Sequence, residues 1–69
     1  MLEELRKWVR ALPFQPFLIE LSSGRQLPVP HPDHILVGRG MVAVEDDEGL
    51  IDVITGLHIP GIRSQAPSA

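Results

Sequence analysis

Three short stretches hold the residues whose types and spacing could do chemistry. The first, "HPDH" at 31–34, puts two imidazoles and a carboxylate within four positions. Those are donors that zinc takes, but zinc needs three or four of them converging. Pro32 forces extended backbone, and residues three apart on a strand point to opposite faces. The pattern therefore predicts a bend between strands, with Asp33 bonding the amides just after it. The second stretch, "EDDEG" at 45–49, sets four acids before a glycine. A calcium loop alternates its ligands and closes with a distant glutamate, a spacing absent here. A solvated turn is the expectation. The third, "GRG" at 38–40, lacks the further glycines and following helix of a phosphate or dinucleotide loop, so it reads as a hairpin turn.

No other set of residues makes a nucleophile. The chain has no cysteine. Ser22 and Ser23 fall in a turn, Ser64 and Ser68 near the C-terminus, and none carries a local catalytic signature. The expectation is a protein that is not an enzyme, with no cofactor and no metal.

The elements that position these residues are short. "LEELRKWVRAL" places Leu2, Leu5, Trp8, Val9 and Leu12 on one helical stripe, with Glu3, Arg6, Lys7 and Arg10 opposite. Glu3 and Lys7 stand at i, i+4, and Pro13 ends the helix. In "PFQPF" the rings of Phe14 and Phe17 are expected to pin that helix to a sheet; an exposed docking motif is the alternative. From Phe17 the period changes to two, with Phe17, Ile19 and Leu21 alternating with Leu18, Glu20 and Ser22. "SSGR" is a hairpin turn in which Gly24 supplies positive φ. Leu27 and Val29 then alternate with Pro28 and Pro30, which cannot donate to a ladder. "ILV", "MVAV" and "LIDVI" are further strand-like runs, and a last short strand surrounds Ile59 and Ile62. The predicted fold is α+β, mainly β: an N-terminal helix and about five short antiparallel strands in a small bent sheet or barrel. One domain is expected over 1–63, with a disordered tail at 64–69.

Composition narrows the class. A chain of 69 residues with no cysteine cannot use disulfides or thiolate metal sites to support its small core. That leaves oligomerisation or a compact, well-packed core. The apolar runs on both faces of "ILV", "MVAV" and "LIDVI" point to oligomerisation, since a second face needs covering. Six basic against nine acidic residues give a net charge of −3, which counts against a nucleic-acid binder. No signal-peptide core or membrane-length apolar run is visible, so a soluble cytoplasmic protein without membrane contact is expected.

"LRKWVRALPFQPFLIELSSGRQLPVPHPDHILV", followed by an acidic turn and "VITGLHIPGI", resembles a group of short bacterial proteins. They share a helix, a Pro-Phe-x-Pro-Phe linker, a Gly-Arg turn and a His-Pro loop. That resemblance covers nearly the whole chain and implies a shared fold without an assigned activity. The layout is also similar to the Sm-like (Hfq-type) fold, with "LIELSSGRQLPV" at the first hairpin and "GLHIPGI" at the last turn and strand. This second resemblance implies a small barrel, rings built by pairing the fourth strand of one subunit with the fifth of the next, and RNA binding. His58 lies where such proteins have a Lys-His pair in the pore, and Gly56-Leu57 precede it in place of the lysine.

Three functional expectations follow. The first is a small non-enzymatic interaction module that self-associates as a homo-oligomer or takes a protein partner. The alternative is an Sm-like RNA-binding protein, with Arg25, His31, Arg39 and His58 as nucleic-acid or partner contacts. The third is a metal protein or small enzyme built on His31, Asp33 and His34.

Overall fold

The computed structural model describes residues 1–65. Helix α1 spans Leu2–Arg10 and six strands follow: β1 Phe17–Glu20, β2 Gln26–Val29, β3 Ile35–Val37, β4 Met41–Glu45, β5 Ile51–Thr55 and β6 Gly61–Ser64. One-turn 3-10 helices sit at Pro32–His34 and Gly56–His58. The class is α+β, mainly β, as the periodicity predicts. The strands form two open three-stranded antiparallel sheets, in the orders β2-β1-β6 and β3-β4-β5. Among the described residues no pairing closes them into a barrel. The break falls where Pro28, Pro30 and Pro32 remove backbone donors, so the β2 ladder stops and the chain re-forms as β3 on the other sheet.

α1 begins with the Leu5 amide donating to the Met1 carbonyl at 3.0 Å. Glu3 and Glu4 lie in its first turn and Lys7 and Arg10 in its last, which suits the helix dipole. Lys7 pairs with Glu4 at 3.5 Å, one turn at i, i+3, and not with Glu3. The helix stops at Arg10 because Ala11 is already extended at ψ 140°. Leu12 therefore leaves the stripe and is 94% exposed, a correction to the five-residue face read from the spacing.

The core lies between the two sheets and under the helix. Phe17 and Ile19 from β1, Leu27 and Val29 from β2, Val42 and Val44 from β4, Leu5 from α1 and Ile59 form it. Phe17 is its centre: the Trp8 ring stands 5.4 Å away and the Phe14 ring 5.8 Å, both tilted. The two phenylalanines thus hold the helix against its own chain's sheet, as the linker pattern predicts. Burying a ring of this size stabilises the fold by about 2–3 kcal/mol.

The turns are fixed by backbone chemistry. Gly24 at φ 93° and Gly49 at φ 83° occupy the left-handed region, which costs other residues about 1 kcal/mol. In the acidic turn one Asp46 carboxylate oxygen accepts from the amides of Glu48 and Leu50, each at 2.9 Å. At 31–34 the turn closes through the His34 amide donating to the His31 carbonyl at 3.1 Å. Among the described residues the side-chain bond expected of Asp33 is not formed, and it is Asp46 that caps a turn, its own. β6 runs through Ser64, and the Gln65 amide donates to Pro16 at 3.1 Å, so these two residues extend the sheet. The remainder of the expected tail, 66–69, lies outside the described residues.

Candidate functional site

The expected contact residues do not form one patch. His31 and His34 face each other with ring centroids 5.9 Å apart, and His34 Nδ1 lies 3.2 Å from the Glu45 carbonyl. That contact fixes both at the end of the β3–β4–β5 sheet near the acidic turn. Arg39 lies at the opposite end, in the two-residue β3–β4 turn closed by the Gly38 amide on the Met41 carbonyl at 2.7 Å. His58 is near it, since Gly56 beside it donates to Gly40 at 3.2 Å. The His58 carbonyl in turn accepts from Ser22, bringing the β1–β2 turn alongside. Arg25 on that turn reaches Asp52 at 3.7 Å and ties the two sheets together. So Arg39 and His58 lie at the Gly56–His58 turn, the Arg25 side chain reaches away to Asp52 on β5, and His31 is at the far end. Among the described residues no three His, Asp or Glu side chains converge as metal ligands.

What the structure does assemble is apolar. On β3–β4–β5, Val42 and Val44 point into the core, and alternation sends Leu36, Met41, Ala43, Ile51 and Val53 outward. Register places Leu36 opposite Ala43 and Ala43 opposite Val53, one row across all three strands. Leu36 is 72% exposed, Ile51 64% and Val53 59%. A shallow cavity of about 370 Å³ opens over this face, where Ile35, Leu36, Ala43 and Ile51 meet the polar Asp33, His34 and Glu45. Scattered exposed leucines are ordinary; here the exposed apolar side chains form one contiguous cross-strand row. The two-faced runs "ILV", "MVAV" and "LIDVI" carried this signal in the sequence. The particular row did not, because it depends on register.

Among the described residues the same sheet has an open edge. Four outer strands flank the two sheets, and two of them are closed. β2 bonds β1 through Leu27 and Val29, because the Leu21 amide donates to Arg25 and pairs alternate from there. Its free side is left to Gln26, Pro28 and Pro30, two of which have no N–H. β3 is covered by α1, whose Arg6 donates to the Gly38 carbonyl at 2.8 Å. On β5 the Asp46–Leu50 and Gly56–Gly40 bonds set Asp52 and Ile54 toward β4. The N–H and C=O groups of Ile51, Val53 and Thr55 therefore face away from the sheet. β6 is also an edge strand, entered through Pro60, which takes away one outward donor.

Comparison with family models, curated proteins and solved structures gives no match to this chain. No helix among the described residues is long and apolar enough to cross a membrane. The functional reading rests on the surface itself.

Proposed function

We propose that this chain is a non-enzymatic interaction module that associates with copies of itself through the β3–β4–β5 sheet. The observation that carries the reading is the uncovered apolar row Leu36–Ala43–Val53, flanked by Met41 and Ile51, on a sheet whose last strand has an unpaired side. The small core supports it: among the described residues eight hydrophobic side chains are buried, and the chain has no cysteine to add a disulfide. Chains of this size gain most from a partner's surface. Light scattering across a wide range of protein concentrations tests the reading. A mass above that of the 7.6 kDa chain, falling on dilution, is expected. A monomer at every concentration would overturn it.

A second reading is an Sm-like RNA binder. The element order supports it, with β2 and β3 as the two arms of a bent strand followed by a hairpin and a short last strand. So do Arg39 and His58, which lie at the Gly56–His58 turn. Its signature is salt-dependent affinity for single-stranded RNA. Absence of binding at low salt would end it.

A further inference from the structure

We infer that the partner is a second copy docked by β5 against β5, antiparallel across a two-fold axis at Val53, so that the two β3–β4–β5 sheets become one of six strands. The inference rests on the self-association reading and adds the geometry of the contact.

Three observations select this arrangement. First, β5 is the edge with consecutive usable groups: Ile51, Val53 and Thr55 present donor and acceptor outward on alternate residues. An antiparallel partner exchanges bonds with residues of that spacing. Val53 then faces Val53 of the other copy, and Ile51 faces Thr55. The edge is self-complementary, which a closed two-fold dimer requires.

Second, the other edges fit less well. Pro28 and Pro30 close β2, α1 covers β3, and Pro60 weakens the approach to β6. Third, the charges at the two ends of the sheet are opposite. Glu45, Asp46, Asp47 and Glu48 lie at one end, Arg39 and Arg6 at the other. An antiparallel pairing sets each acidic end alongside the partner's basic end, twice. A parallel pairing would set acid beside acid. The apolar row then runs unbroken from Leu36 of one copy through both Val53 side chains to Leu36 of the other, so each Val53 gains an apolar cross-strand neighbour.

The chain has no cysteine, so one introduced thiol reports one position. Residues in a hydrogen-bonded antiparallel pair have Cα atoms about 5.5 Å apart, within the roughly 4.4–6.8 Å a disulfide spans. The experiment is air oxidation of the full chain carrying Val53→Cys, with Leu36→Cys as the control. The two Leu36 positions are five strand spacings apart, about 24 Å. The expected result is a covalent dimer from Val53→Cys, none from Leu36→Cys, and a two-chain mass for the unmodified protein that declines as salt is raised. Val53→Pro removes an N–H that no strand of the same chain uses. It is expected to raise the dimer dissociation constant about tenfold or more, with the circular dichroism of the fold retained.

A monomer at all concentrations overturns both this geometry and the self-association reading. An assembly in which Val53→Cys does not cross-link, or a ring of more than two chains, overturns the β5–β5 pairing alone and leaves self-association standing.

Discussion

The two sheets share one core and present opposite outer faces. The β2–β1–β6 sheet turns Leu18 outward among Glu20, Gln26, Pro28 and Arg63, and Arg63 pairs with Glu20 at 3.5 Å across the β1–β6 ladder. Its outer edge on β2 is stopped by prolines. The β3–β4–β5 sheet turns Leu36, Ala43, Ile51 and Val53 outward and leaves β5 open. Natural sheets blunt their edges with charge, proline or a covering element. Here β2 carries prolines, whereas β5 has no proline and one charge, Asp52, which turns inward to Arg25 of the other sheet. The self-association proposed above draws on this difference, since it places the second copy on the second sheet.

The most damaging change is one that removes what both sheets share. Phe17→Ala empties the centre of the core and detaches the stacked Trp8 and Phe14 rings. A loss of about 3–5 kcal/mol is expected, comparable with the whole stability of so small a domain. Urea unfolding should find little folded protein; an unchanged midpoint would show that the helix does not depend on Phe17. Next in size is the exposed row. Leu36→Ser with Ile51→Ser should raise the dissociation constant for self-association about tenfold or more, roughly 1.4 kcal/mol. The same pair should move the urea midpoint little, because exposed positions away from special contacts change stability by about 0.5 kcal/mol or less. Equal effects on assembly and stability would break the distinction between the faces.

Much of this architecture is legible in the sequence. The period of two through "FLIE" and "QLPV" identifies Phe17, Ile19, Leu27 and Val29, all buried. The glycine turn at 24 and the bend at 31–34 follow from residue chemistry. The misreadings have physical causes. Leu12 continues the apolar spacing of α1, but the backbone has already turned extended at Ala11. Asp33 and Asp46 are equally plausible turn caps in one dimension. The backbone geometry of the 46–50 turn aims two amides at Asp46, whereas the 3-10 turn at 32–34 closes on its own carbonyl. The surface row was half legible: two-faced runs announce that apolar groups remain outside, but only the register aligns Leu36, Ala43 and Val53. The basic residues and His31 separated for a related reason, since their places depend on which turns the sheets bring to the same end.

Asp46 links the comparison to the turn that carries the acidic charge. Asp46→Ala removes the acceptor of the Glu48 and Leu50 amides, which then rely on water. A cost of about 1 kcal/mol is expected, read from the urea midpoint. Asp46→Asn keeps an acceptor oxygen and should recover most of it. Full loss in the Asn variant would show that charge, and not the two bonds, holds the turn.

The smallest effect is expected on the solvent face, and that smallness is itself the test. Arg63 is 64% exposed and Glu20 half-buried, so their attraction is screened by water and offset by the entropy of ordering an arginine. Arg63→Ala should change stability by about 0.5 kcal/mol or less and leave the solution mass unaltered. Arg63 lies on β6, whose backbone bonds inward to β1 at this residue, so shortening its side chain leaves the ladder intact. If the mass nevertheless falls with Arg63→Ala while Leu36→Ser with Ile51→Ser leaves it unchanged, the partner sits on the β2–β1–β6 sheet, and the roles of the two faces are reversed.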